Sequence, residues 1–220
     1  MIMKLRFISI FFLCLILGVL FLLQKKHEVT RPIVITAFGD SVTEGYGLPY
    51  ENSYTAQLEA LLRTDGFPRS TVYNKGTSGD TSYDGLSRVD EVIAQKPDIV
   101  IVAFGANDGL RHLPTGNLRN NLLLIVTQLQ SNDIVVVLAG IKPPSMFAAD
   151  YGVAFQKVFA EVAKERKVTF IPDLMEGVSF HPNLTISDGL HPNKEGYTII
   201  AKRNVLPKIV EAIGLLEKNK

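Results

Sequence analysis

Four short stretches, far apart in the chain, carry residue types that together suit acyl transfer. The first is Gly39-Asp40-Ser41-Val42-Thr43-Glu44-Gly45. Glycines on either side let the backbone turn sharply and come close to whatever sits at Ser41, which makes Ser41 a candidate nucleophile. By itself the tripeptide reads as a polar turn. In the second stretch, Asn74 to Thr81, glycines such as Gly79 free backbone N–H groups to point at an anion. The third, Gly105-Ala106-Asn107-Asp108-Gly109, offers an asparagine amide. Such an amide is a neutral donor suited to an oxyanion, although asparagine in a glycine-rich loop is also an ordinary turn former. The fourth is Asp188-Gly189-Leu190-His191-Pro192-Asn193. With two residues between them, the carboxylate can hold one ring nitrogen of His191 while the other faces the nucleophile. Alone, either residue reads as a loop histidine or a turn former; beside the other three signals, the pair points to a Ser-His-Asp arrangement.

Other polar residues read more plainly. Asp40 and Asp108 are expected to fix loop geometry through nearby backbone, and His112 and His181 to be solvated. Ser78 and Ser82 lack a paired base in the sequence. Leu110 and Leu113, beside Asn107, and Met146, Phe147 and Tyr151, after Pro143-Pro144, either line an acyl site or pack in the core. No Walker-type loop, dinucleotide fingerprint or metal-ligand cluster occurs, so neither cofactor nor metal is expected.

The elements that must position these groups alternate along the chain. Ile33 to Phe38, Thr71 to Tyr73, Asp98 to Phe104, Ile134 to Leu138 and Val168 to Ile171 are β-favouring and apolar. Between and after them, Tyr54–Thr64, Ser82–Gln95, Leu118–Leu129, Asp150–Lys167 and about Lys194–Leu216 carry apolar residues at helical spacing, with Asn52 or Ser53 able to cap the first. Continuous apolar strands separated by single helices indicate a parallel sheet covered on both faces. Right-handed crossovers then give a three-layer α/β/α domain with five parallel strands. Ligands of such sheets bind beyond the carboxyl ends of the strands, which is where all four stretches fall.

The 220 residues suit one domain with an appendage. A formal net charge of +1 gives no electrostatic case for nucleic-acid binding. The single cysteine, Cys14, excludes disulfide frameworks and cysteine-based zinc sites. Cys14 lies within an apolar run, Phe7 to Leu23, whose 17 residues would rise ~26 Å as a helix, slightly short of a hydrocarbon core of ~30 Å. Leu20-Phe21-Leu22-Leu23 offers no small residues for signal cleavage, so residues 1–26 read as an uncleaved anchor rather than a cleaved signal peptide. Basic residues flank both ends. The short tail is the easier end to leave in the cytoplasm, which places the domain outside the cytoplasmic membrane, or periplasmic or secreted if the segment is cleaved. Residues 27–32 form a polar tether and 33–220 the domain. A membrane tether would suit work on lipid beside the bilayer.

Gly39-Asp40-Ser41, Gly79, Gly105-x-Asn107-Asp108 and Asp188-x-x-His191, in that order, resemble the four motif blocks of the SGNH (GDSL) hydrolase family. Ser78-Gly79-Asp80-Thr81-Ser82, Gly105-x-Asn107-Asp108-Gly109-Leu110-Arg111, Asp150-Tyr151-Gly152 and Asp188 to Asn193 are closer still to its bacterial thioesterase/lysophospholipase and arylesterase branch. The N-terminus departs from the cleaved export signal usual there. The resemblance covers essentially all of 33–220 and implies a flavodoxin-like fold. It also implies a serine hydrolase of acyl esters, thioesters or lysophospholipids, working through an acyl-enzyme. Ser41 would be the nucleophile, His191 the general base and Asp188 its orienting acid. The N–H groups of Ser41 and Gly79 and the Asn107 amide would form the oxyanion hole. The same blocks serve carbohydrate O-deacetylases and acyltransferases, which differ in the acyl slot, and a non-catalytic binding module would have lost at least one of these residues. Chain-length preference, leaving group and oligomeric state stay open.

Overall fold

In a computed structural model, residues 31–142 and 149–218 are described. The N-terminal segment expected to be an anchor, with Met146 and Phe147, lies outside them. Among the described residues no helix is long and apolar enough to cross a membrane.

Five parallel strands, β1 (Ile33–Gly39), β2 (Ser70–Gly76), β3 (Ile99–Ala103), β4 (Val135–Ala139) and β5 (Thr169–Ile171), form one sheet in the order β2-β1-β3-β4-β5. Alternate residues of β3 feed two separate cores. Ile99 and Ile101 join Leu58 and Leu62 of α2 (Tyr54–Thr64) and Ile209 and Ile213 of α9 (Leu206–Lys218) on one face. Val100 and Val102 join Leu118, Leu122 and Ile125 of α6 (Thr115–Gln130) and Phe155 and Phe159 of α7 (Ala149–Arg166) on the other. Both faces being buried explains why these strands read as continuous apolar runs.

The register sets the working edge. Gly39 pairs with Gly76 on one side and with Ala103 on the other. The loops after β1, β2 and β3 therefore leave from neighbouring positions, ~5 Å apart. Strand order reverses between β1 and β3, the switch point where ligands bind in such sheets.

Several elements differ from the sequence reading. β2 spans seven residues rather than three because it pairs along the full length of β1. The single helix expected over 82–95 is two, α3 (Ser82–Ser87) and α4 (Val89–Ile93), broken at Arg88. The closing helix is continuous but contains a wide π turn, Ile200–Val205, between α8 (Lys194–Ile199) and α9. Pro207 accounts for it: proline has no N–H and its ring collides with the carbonyl four residues back, which a wider turn relieves. Within that turn the buried Asn204 donates to the carbonyls of Leu174 (2.9 Å) and Glu176 (3.0 Å), tying down the segment after β5.

Candidate active site

Ser41 opens a four-residue helix, α1 (Ser41–Glu44), directly after β1. Asp40 caps it, its Oδ1 accepting from Val42 N at 3.1 Å. The turn requires glycine at 39, where a Cβ would stand 2.3 Å from Thr43 Oγ1 and 2.6 Å from the Ala103 carbonyl. As the first residue of a helix, Ser41 presents its N–H without an intrahelical partner. Burial pushes the Asp40 carboxyl up to about 7, helped by the charges of Asp108 and Asp80 and opposed by the Val42 N–H.

His191 arrives from a narrow loop after a single 3₁₀ turn, Pro182–Leu184. Ile186 N donates to the His191 carbonyl (2.9 Å) and Asn193 N to the Leu184 carbonyl (2.9 Å). Asp188 Oδ1 accepts from the backbone N–H groups of Leu190 (2.9 Å) and His191 (3.0 Å). Its Oδ2 lies 2.6 Å from His191 Nδ1. A carboxylate only accepts, so Nδ1 carries the proton and Nε2 is left as an acceptor. The Ser41 hydroxyl donates to that nitrogen at 2.8 Å. Partial burial works to raise the Asp188 carboxyl, but the bonds from the His191 ring and the two N–H groups outweigh it and hold it below the usual range. The Tyr46 ring lies against His191, centroids 4.6 Å apart.

Asn107 sits in α5 (Ala106–Leu110), immediately after β3. One of its amide hydrogens goes to the Asp80 carbonyl (2.9 Å), which turns the amide toward the loop after β2 and leaves the second hydrogen available. That loop is held from several sides. The Glu44 carboxylate accepts from both the N–H (2.9 Å) and the hydroxyl of Ser78. Arg111 donates to the Gly79 carbonyl at 2.8 Å. Gly79 itself has φ +87, a left-handed conformation that suits glycine.

A cleft of about 270 Å³ joins these groups. Ser41, Gly79, Asn107 and His191 lie on its wall, and so does Leu110. Leu113 and Tyr151, expected as acyl contacts, are not among the lining residues. The Tyr151 hydroxyl instead donates to the Leu113 carbonyl (2.8 Å), fastening the end of α5 to α7. The cleft's apolar wall comes from Val42, Ile141, Phe155, Met175, Phe180 and Leu190. Of these, Leu190 stands inside the Asp-x-x-His block and was findable there. Phe155 lies in the helix expected over 150–167, and nothing local in the sequence marks it as a wall residue. The second-rank serines also differ from expectation. Ser78 has the Glu44 carboxylate, and Ser82 donates its hydroxyl to Asp108 Oδ1 (2.6 Å) and its N–H to Oδ2 (2.8 Å). The buried Asp108 thus locks α5 to α3. Among the described residues no group of histidine, cysteine and acidic side chains could hold a metal ion.

A hydroxyl bonded to an imidazole whose far nitrogen is held by a carboxylate, beside a helix N-terminus and an amide with one hydrogen to spare, can generate and stabilise a tetrahedral acyl adduct. Comparison with known proteins bears on the same point. The sequence model of the GDSL-like Lipase/Acylhydrolase family matches residues 37–199. The chain belongs to that family. Among GDSL hydrolases it is 31% identical to an arylesterase of Vibrio mimicus, over 83% of this chain and 90% of the relative. It is also 31% identical to the thioesterase 1/protease 1/lysophospholipase L1 of Escherichia coli K12, over 83% of this chain and 86% of the relative. The crystal structure of TesA superposes with a TM-score of 0.75 at 29% identity, covering 83% of this chain and 99% of that one. A five-stranded parallel α/β sheet is thus the fold of a GDSL hydrolase.

Proposed function

We propose that this GDSL hydrolase is a serine esterase and thioesterase in which Ser41 attacks the acyl carbonyl carbon and passes its proton to His191 Nε2. The N–H groups of Ser41 and Gly79 and the Asn107 amide receive the developing oxyanion. Collapse of the adduct breaks the bond to the leaving oxygen or sulfur, which takes the proton from His191. Water then repeats the sequence and releases the acid, regenerating the hydroxyl. Asp188 holds His191 in the tautomer that this requires. The observation that carries the reading is the unbroken run of hydrogen bonds from Ser41 Oγ through His191 to Asp188, opening on the cleft.

The cleft's apolar wall supports an acyl chain rather than a sugar as the group next to Ser41, and aryl esters, acyl thioesters and lysophospholipids are the substrate classes proposed, after the names of the relatives. Hydrolysis of p-nitrophenyl esters from acetyl to palmitoyl, beside an acyl thioester and a lysophospholipid, tests this. Activity should rise beyond acetyl, and a peak at acetyl would favour an O-deacetylase. A purified Ser41→Ala protein that keeps near-wild-type turnover would overturn the mechanism.

Residues 33–220 are proposed to work outside the cytoplasm, tethered by residues 1–26; the sequence of that segment supports this. An export-dependent reporter fused to Lys220 should be active, and a silent one would refute it.

A further inference from the structure

Arg88 occupies the break between α3 and α4, its N–H donating to the Gly85 carbonyl. Its backbone leaves the helical region (φ −120, ψ 12), and its side chain runs inward, 18% exposed. The guanidinium lies over the Phe38 ring at 4.6 Å and near the Phe104 ring at 5.6 Å. Those two rings meet edge to face across the ends of β1 and β3. From that seat Nε donates to Asp80 Oδ2 (2.7 Å), Nη1 to the Lys75 carbonyl (3.0 Å) and Nη2 to the Gly39 carbonyl (3.0 Å).

Each acceptor adjoins a different part of the site. Gly39 is two residues before Ser41, and Lys75 is the penultimate residue of β2. Asp80 follows Gly79 and receives the Asn107 amide on its carbonyl. We propose that Arg88 is a positioning residue for the oxyanion hole, one planar cation holding the Ser41 turn, the Gly79 loop and, through Asp80, the Asn107 amide in a fixed mutual geometry. The proposal rests on the hydrolase reading above. A guanidinium is needed because three acceptors in three directions require a rigid fork of donors, whereas an ammonium is a single point on a flexible stem. Arg88 does not line the cleft, so it acts on substrate only through its partners.

Steady-state kinetics of Arg88→Lys, alone and combined with Asn107→Ala, separates positioning from general support of the fold. Misplaced donors should lower kcat of Arg88→Lys by up to about 10²-fold while KM stays within about twofold, because a ground-state ester does not use the hole. In the Asn107→Ala background the same substitution should cost several-fold less than in the wild type, since the share carried through Asn107 is already gone while the Ser41 and Gly79 donors still depend on Arg88. A full, multiplicative loss in that background refutes the proposal, as does an unchanged kcat. If Arg88→Lys does not fold, Asp80→Asn, which keeps shape but removes the charge that Nε meets, carries the same two tests with the same outcomes. The hydrolase reading fails separately, on Ser41→Ala retaining turnover. A proposal wrong only about Arg88 leaves Ser41→Ala dead and Arg88→Lys active.

Discussion

Replacing Asp40 by asparagine tests whether the nucleophile's turn is built on a carboxyl that burial holds protonated into the neutral range. Asp40 is 3% exposed, and its carboxyl is raised from 3.8 to about 7. The native state therefore binds this proton more tightly than the unfolded chain. The group's contribution is complete below pH ~4, falls as pH rises, and is lost by the time pH passes about 7. Across the full interval the loss is about 4 kcal/mol, and between about pH 4.5 and pH 8 it is about 3 kcal/mol. An asparagine amide has the same shape and its oxygen can still accept from Val42 N, but it does not titrate. The Asn amide hydrogens, left without a partner, carry a pH-independent cost of about 1–3 kcal/mol. The difference in unfolding free energy between variant and wild type should thus shift by about 3 kcal/mol in the variant's favour from pH 4.5 to 8, whatever its offset. Urea unfolding followed by far-ultraviolet circular dichroism at several pH values measures it. Parallel stability curves, with a constant difference across that range, would refute the reasoning.

Four further outcomes follow from the site. Asn107→Ala should lower kcat by about 10²–10³-fold with the fold intact by circular dichroism; a loss under tenfold would remove Asn107 from the oxyanion hole. Asp188→Asn should cost on the order of 10⁴ in kcat, because an amide can donate to Nδ1 and stabilise the wrong tautomer; steady-state hydrolysis of a short p-nitrophenyl ester reads it, and a loss of only a few-fold denies Asp188 its role. Gly79→Ala meets no clash, its nearest neighbour being Arg111 Nη2 in ordinary contact at 3.8 Å, yet it forces an L-residue to φ +87 at about 1–2 kcal/mol. Its kcat should fall more than its melting temperature suggests, and unchanged turnover would mean that the Gly79 N–H does no catalytic work. Leu110→Ala, at a residue 44% exposed on the cleft wall, should raise KM several-fold for a medium-chain ester, about 1 kcal/mol of lost apolar contact, and leave the acetyl ester unaffected; equal KM changes for both would take Leu110 out of the acyl site.

What the sequence makes legible and what it hides follow one division. The strands were readable because their burial on both faces leaves an uninterrupted apolar run, and the chemistry-bearing residues because they stand in glycine-marked blocks, three just after a strand and the fourth just before the closing helix. His191 and Asp188 were readable as a pair since three positions of separation suffice to bring ring and carboxylate together within one loop. What stayed hidden is contact between residues far apart in the chain. Tyr151 and Leu113 look like acyl contacts on hydropathy, but only the packing of α7 against the end of α5 decides that the hydroxyl meets a carbonyl instead. Ser78 and Ser82 look unpartnered because Glu44 and Asp108 are 34 and 26 residues away. Arg88 is the plainest case. Periodicity carries the apolar stripe of Leu86, Val89 and Ile93 straight past it, and nothing local says that its side chain must leave the helix surface. Its role appears only once β1, β2 and the Gly79 loop are assembled around a common point, where three acceptors converge on one guanidinium. Local pattern therefore suffices to mark the candidate reacting groups, while the groups that hold them in register are set by contacts between segments far apart in the chain.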